Sequence, residues 1–167
     1  MSDEMVAALT DNGGVIQINF GSGFLTTEAR NYANASQQAF LRFRAEENIT
    51  GPDPRLAEFA ANYRKDNPYP FATVDDVLDH IDRAVELAGI DHVGIGSDYD
   101  GVGDTLPIDL KDVSEFPNLT TGLLARGYSE EDIAKIYAGN LMRVWRANEA
   151  YAERAGNPTQ CRTADEA

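Results

Sequence analysis

The chain has 167 residues, and its 14 basic and 28 acidic side chains give a formal net charge of −14. That length corresponds to about one domain. With 43% apolar and 25% charged residues, the composition is that of a globular protein and excludes intrinsic disorder. The negative charge argues against nucleic acid and anionic lipid as partners. The apolar stretches are too short to span a bilayer, so we expect no membrane association.

The cysteine content bears on the cellular compartment. Cys161 is the single cysteine, so an internal disulfide framework is excluded and a reducing compartment is favoured. No basic leader with an apolar core opens the chain. We therefore expect a cytoplasmic protein.

The first elements in chain order are a helix and a strand. Ser2 is a predicted N-cap, and the helix that follows it ends at the Asn12-Gly13-Gly14 stop signal. The run from Val15 to Phe20 is rich in β-branched residues and lies between glycines, which predicts a buried strand. Residues 27–70 then predict two amphipathic helices, separated by a turn at 51–54, that elaborate a connection.

A second helix and strand follow. Thr73 and Asp76 predict a capping box, and one apolar face continues from Val74 to Ala88. A short β-type run from Ile90 to Gly96 comes next. The order strand, helix, strand predicts two parallel strands.

The remainder of the chain predicts helices. One covers 118–126, and Ser129 opens another that is interrupted at Asn140, for which we expect an N-cap or a tie to a loop. Trp145 falls at helical spacing and is predicted to lie in the core, and residues 156–167 form a polar tail. Because two strands make an inadequate sheet, we expect an α/β fold that is part of a larger sheet.

The segment Gly94-Ile95-Gly96-Ser97-Asp98-Tyr99-Asp100-Gly101 is the sharpest chemical feature. Ligands of parallel α/β folds bind at the carboxyl ends of strands, where this pattern places Asp98. A carboxylate there can serve as a general base or a metal ligand. Alternatively, Asp98 caps a turn formed by Asp100 and Gly101. Asn19 ends the first strand and is a candidate for binding a substrate or a neighbouring loop.

Two further patterns offer competing interpretations. The D-x-D-G at Asp98 is similar to the haloacid-dehalogenase phosphatase signature, but that family needs later strands where this sequence predicts helices. His80 and Asp82 form an H-x-D, yet on a helix these positions point about 200° apart. His80 and His92 are therefore interpreted as structural, and we expect no metal ligand in this chain.

Several motifs in order resemble one known family. The run from Asn12 to Phe20 resembles the seventh strand of the membrane dipeptidase (renal dipeptidase) family of zinc peptidases, and 79–101 is similar to its last helix–strand unit. Four further motifs continue the match in the same order: 112–114, 117–119, 126–133 and 139–144. The resemblance extends over residues 1–155, and we expect residues 1–167 to form a single partial domain.

The resemblance implies the C-terminal part of a TIM-type (β/α)8 barrel, with about two of its strands. It implies hydrolysis of dipeptides with two zinc ions, and it places Asp98 beside the metal-bridging water, where it would shuttle a proton to the leaving amine. The family's zinc ligands all precede the matched region. We therefore expect an isolated chain that is inactive and needs a complementing N-terminal barrel segment, either from a second polypeptide or lost from a truncated reading frame.

A non-catalytic module is the alternative hypothesis. In that case the helices would serve as a binding or oligomerisation surface, which the missing metal ligands favour. Apolar faces meant for absent strands also predict self-association, so a homo-oligomer is an expected assembly.

Overall fold

The computed structural model describes residues 1–154 and has two strands and a set of helices. The strands are β1 (Ile16–Asn19) and β2 (Val93–Ser97), which pair in parallel. The helices are α1 (Asp3–Ala7), α2 (Leu9–Asn12), α3 (Ser22–Leu25), α4 (Thr27–Glu46), α5 (Pro54–Asp66), α6 (Val74–Ala88), α7 (Phe116–Ala125), α8 (Glu130–Ala134) and α9 (Asn140–Arg154). Short 3₁₀ turns at Ile90–His92 and Val113–Glu115 and a π turn at Lys135–Gly139 complete the order.

Local capping chemistry fixes where several helices begin. The hydroxyls of Ser2, Thr73 and Ser129 each accept a hydrogen bond from the backbone of the following turn. Thr73 with Asp76, and Ser129 with Asp132, form complete capping boxes. Each cap satisfies backbone donors that otherwise lack partners and contributes roughly 1 kcal/mol. The helix starts predicted at all three caps are confirmed.

The two faces of the strand pair have different chemistry. On one face Ile18, Phe20 and Val93 are buried against the helices. The other carries Gln17, Asn19, Gly94 and Gly96, and is called the glycine face below. A Cβ atom added to Gly94 would lie 3.1 Å from Gln17 Oε1, which shows that the side chains of β1 lean over the glycines of β2. The alternation of apolar and polar residues along β1 therefore separates a packed face from an open one.

The core lies between α6, α7 and the helix-covered face of the strands. Its fully buried side chains include Phe20, Leu78, Ile81, Leu119, Leu123 and Ile136. Burial of one such side chain stabilises the fold by about 1.5–3 kcal/mol. α6, the last α-helix before β2, supplies four buried core residues on one helical stripe, as its sequence predicts: Val77, Leu78, Ile81 and Ala84.

The structure corrects one expectation at the C-terminal helix. Trp145 is 58% exposed, so its predicted place in the core is wrong. The α-helical pattern is interrupted where the sequence predicts, because a π turn at Lys135–Gly139 separates α8 from α9, which begins at Asn140. The Asn140 side chain points at β2, and at 3.6 residues per turn Trp145 lies about 140° around the helix from it. The side that carries Trp145 therefore faces outward.

The described residues form a mixed α/β structure with two parallel strands and several helices, as expected. Within residues 1–154, no helix combines the length and the apolar character needed to cross a membrane. Cys161 and the polar tail lie outside the described residues, and the single partial domain over 1–167 stays a prediction.

Candidate functional site at the carboxyl end of the strands

The backbone turns sharply at the carboxyl end of β2. Ser97 and Asp98 have φ angles of 44° and 68°, in the left-handed region that residues with a side chain seldom adopt. The Asp98 N–H donates to Gly96 O over 2.6 Å, and the Gly101 N–H donates back to Asp98 O over 3.2 Å. Two consecutive left-handed residues cost on the order of 1–3 kcal/mol each, and such strain is typical of functional sites.

A glycine makes room for the Asp98 carboxylate. A Cβ atom added to Gly101 would lie 2.2 Å from Asp98 Oδ1, so any side chain there would displace the carboxylate. Asp98 is half-buried, whereas Asp100 is exposed on the loop. The structure thus places Asp98 at the strand end that the sequence predicts. The expected Asp100-Gly101 turn is also present.

Asn19 lies beside Asp98. The strand register is regular up to the pair Ile18–Ile95, but Asn19 then pairs with Ser97, so Gly96 is skipped in a β-bulge. Asn19 Nδ2 comes within 3.5 Å of Asp98 Oδ2. The two residues named from the sequence as site candidates are therefore neighbours.

A buried serine joins the loops around this strand end. Ser22 is 0% exposed, and its Oγ donates to Thr105 O over 2.5 Å and accepts from Ala72 N over 3.0 Å. Its own N–H donates to Thr105 O over 2.8 Å. Ser22 thus ties the loop after β1 to the loop after β2 and to the segment before α6. Sequence reasoning missed it, since only the Gly-x-Gly setting after a strand marked the position.

Aromatic rings pack under the same loop. Tyr99 lies edge-on to Phe20 and Phe116, with ring centroids 5.9 and 6.2 Å away. Burial, with further contributions from the charges of Asp112 and Glu115, raises the pKa of Tyr99 to about 12. The phenol is therefore neutral at physiological pH, and it donates to Asp112 O over 3.1 Å.

Both histidines are bound to backbone oxygens away from Asp98. His80 Nε2 lies 2.9 Å from Leu25 O, and His92 Nδ1 lies 2.8 Å from Gly14 O. His92 sits in the 3₁₀ turn before β2, at the end opposite Asp98. These contacts agree with the structural interpretation of both residues.

The part of the chain that the structure describes does not fit a complete zinc site. Zinc in proteins takes three or four nitrogen, sulfur or carboxylate ligands. Among residues 1–154 no group of three His, Cys, Asp or Glu side chains is placed to hold a metal ion. Asp98 has an amide neighbour in Asn19 and no convergent histidine, so we assign no step of the chemistry to a metal held by these residues.

Asn140 provides the second tie that positions β2. It is 3% exposed, and its Nδ2 donates to Ile90 O over 2.7 Å and to Val93 O over 2.8 Å. The sequence left open a cap or a loop tie, and the structure shows the tie. π turns often accompany functional sites, and here the turn immediately precedes the anchoring residue.

Comparison with known proteins gives consistent matches. The family model of the membrane dipeptidases (peptidase family M19) matches residues 1–159. A Klebsiella pneumoniae protein described as "uncharacterized protein in pqqA 5'region" is 30% identical over 144 residues, which are 86% of this chain and 39% of that protein. Dipeptidase ataJ of Aspergillus terreus is 50% identical over 78 residues, which are 47% of this chain and 19% of that enzyme.

Solved structures show the same fold. The probable dipeptidase PvdM from Pseudomonas aeruginosa has a TM-score of 0.63 at 32% identity, covering 87% of this chain and 40% of that one. A Rhodobacter sphaeroides metallo peptidase, solved with a phosphinate mimic of the dipeptide L-Ala-D-Ala, has a TM-score of 0.55 at 24% identity, covering 84% of this chain and 29% of that one. This sequence thus spans about two fifths of PvdM and of the Klebsiella protein, or less of the others. The chain belongs to the membrane dipeptidase family, peptidase family M19.

Proposed function

We propose that this chain forms the C-terminal wall of a metallodipeptidase barrel and that Asp98 is its acid–base carboxylate. The position of Asp98 carries the proposal: a carboxylate held by a strained turn at the carboxyl end of a parallel strand, beside an open polar face. Family membership and the similarity to a dipeptidase support a dipeptide as the substrate.

Asp98 has the chemistry that peptide hydrolysis requires of this chain. A carboxylate can accept a proton from the attacking water and return it to the leaving amine, which typically accelerates hydrolysis 10²–10⁴-fold. Zinc belongs to the proposed whole barrel, and its ligands would come from residues outside 1–154. Two strands cannot close a barrel, so the proposal includes an inactive isolated chain.

Complementation tests this proposal. The chain would be measured alone and together with the part of the Pseudomonas aeruginosa neighbour that it does not cover, by zinc content and by hydrolysis of alanine dipeptides. We expect hydrolysis only from the complex. A complex that forms and binds zinc but leaves dipeptides intact would refute the proposal.

A pair of variants assigns the activity to Asp98. Asp98→Asn keeps the shape, and asparagine tolerates the left-handed backbone, but it removes the proton acceptor. We expect kcat to fall at least 10²-fold, whereas Asp100→Asn, which removes the exposed carboxylate two residues away, should change kcat less than threefold. Equal losses in both variants would contradict the assignment.

The non-catalytic module remains the second candidate function, because the described residues include no group of side chains that fits a metal. It predicts a stable complex with no zinc and no turnover. After β2, residues 98–154 form no further strand, which removes the setting that the phosphatase interpretation requires.

A further inference from the structure

The geometry around Asp98 points to a positioning role for Asn19. We infer that Asn19 holds the Asp98 carboxylate in place by donating its side-chain amide to Oδ2. This inference rests on the proposed function of Asp98. It assigns Asn19 to the carboxylate rather than to the substrate.

The β-bulge brings the two side chains together. In a regular parallel register Asn19 would lie opposite Gly96, but the bulge pairs it with Ser97, one residue closer to Asp98. The ladder then continues, since the Phe20 N–H donates to Ser97 O over 2.9 Å. Bulges next to active sites commonly redirect a side chain, and this one directs an amide to a carboxylate.

Two glycines provide the space for this pair. A Cβ atom on Gly96 would lie 2.2 Å from Asn19 Oδ1, just as a Cβ atom on Gly101 would lie 2.2 Å from Asp98 Oδ1. With Oδ1 of Asn19 above Gly96, the amide nitrogen is the end that faces Asp98. Neither glycine has a positive φ, so the requirement at both positions is one of space.

Asn19 Nδ2 and Asp98 Oδ2 are farther apart than the atoms of most hydrogen bonds. The 3.5 Å between Nδ2 and Oδ2 is at the long end for a hydrogen bond. Catalytic hydrogen bonds are often long without substrate and shorten when the substrate complex forms. Within residues 1–154, Asn19 provides the one side-chain donor to the Asp98 carboxylate.

NMR on the chain alone tests the contact independently of activity. We expect Asn19→Ala to shift the carboxyl ¹³C resonance of Asp98, and Asp98→Ala to shift the side-chain amide protons of Asn19. Gln17→Ala is the matched control, because Gln17 lies on the same glycine face over Gly94 and has no hydrogen bond to the Asp98 carboxylate among the described residues. Gly96→Ala should reproduce the effect of Asn19→Ala by displacing the amide. An Asp98 resonance that responds no more to Asn19→Ala than to Gln17→Ala would overturn the inference.

Kinetics of the complemented enzyme separates positioning from substrate binding. A positioning residue acts on the reacting carboxylate, so Asn19→Ala should lower kcat about tenfold with KM nearly unchanged. An increase in KM with kcat retained would overturn the inference in favour of direct substrate binding. If complementation gives no turnover, the proposed function fails, while the NMR result still decides whether Asn19 holds Asp98.

Discussion

Ser22 offers the sharpest test of how the loops around the strand ends are held together. In Ser22→Ala the backbone N–H still donates to Thr105 O, but both hydrogen bonds of the hydroxyl are lost. Ala72 is 1% exposed, and its N–H is then left without the acceptor that Ser22 Oγ provides.

The expected loss of stability in Ser22→Ala follows from these hydrogen bonds. A buried donor without an acceptor costs about 1–3 kcal/mol. Thr105 O keeps the Ser22 N–H as its donor, so the loss of the hydroxyl bond to this oxygen adds little to that cost. Alanine in the first turn of α3 regains about 0.5 kcal/mol of helix propensity. We therefore expect the free energy of unfolding to fall by about 1.5 kcal/mol, which at about 2 kcal/mol per M of urea lowers the midpoint by about 0.7 M.

Urea denaturation followed by circular dichroism measures this change. Ser36→Ala is the control: Ser36 is half-buried in α4 and its hydroxyl has no hydrogen bond among the described residues. Alanine should leave the stability of that variant equal to the wild type or raise it by about 0.5 kcal/mol. Equal urea midpoints for Ser22→Ala and Ser36→Ala would show that the Ser22 hydroxyl does not stabilise these loops.

Three further predictions concern other elements. Asn140→Asp places a carboxylate against the Ile90 and Val93 oxygens, so we expect the free energy of unfolding to fall by about 3–5 kcal/mol in the same urea assay. A loss below 1 kcal/mol would contradict the buried hydrogen bonds of Asn140. Tyr99 has a pKa of about 12 in the folded chain against 10.0 for the free phenol. The neutral Tyr99 therefore contributes fully to stability below pH 10, and this contribution is lost as the pH rises from 10 to 12. We expect phenolate absorbance to rise together with unfolding in that range. Titration of every tyrosine near pH 10 with no loss of structure would refute this. Trp145 is the one tryptophan, and acrylamide should quench its fluorescence in the native state nearly as well as after unfolding; strong protection would place it in an interface.

The carboxyl end of β2 shows how far sequence reasoning reaches at the site. The pattern of a strand followed by glycine and aspartate predicts that Asp98 lies at a strand end. This prediction needs only the β propensity of neighbouring residues and the rule that ligands bind at the carboxyl ends of parallel strands. The bulge at Asn19 is not predictable in this way. It depends on the register between two strands that lie far apart in the chain, where Asn19 and Asp98 are separated by 79 residues. It also depends on glycines that leave space for a side chain of another segment.

Trp145 shows why a periodic pattern alone does not determine which side of a helix is buried. Leu141 and Trp145 lie on one stripe of α9, and Asn140 and Val144 lie on the neighbouring stripe. Hydrophobicity favours the first stripe as the buried one. The structure selects the second, because the Asn140 amide satisfies two backbone oxygens next to β2, a gain that no count of apolar residues includes.

The amino-acid sequence alone predicts the helix starts at Ser2, Thr73 and Ser129, the parallel strand–helix–strand unit and the family, because caps, periodicity and ordered motifs are properties of neighbouring residues. Three features become visible only in the folded chain: Asn19 meets Asp98, Ser22 joins three segments, and Trp145 faces outward. Each of these depends on contacts between segments far apart in the chain, where the rotation of a helix and the register of a strand are set by the polar groups that must be satisfied on burial.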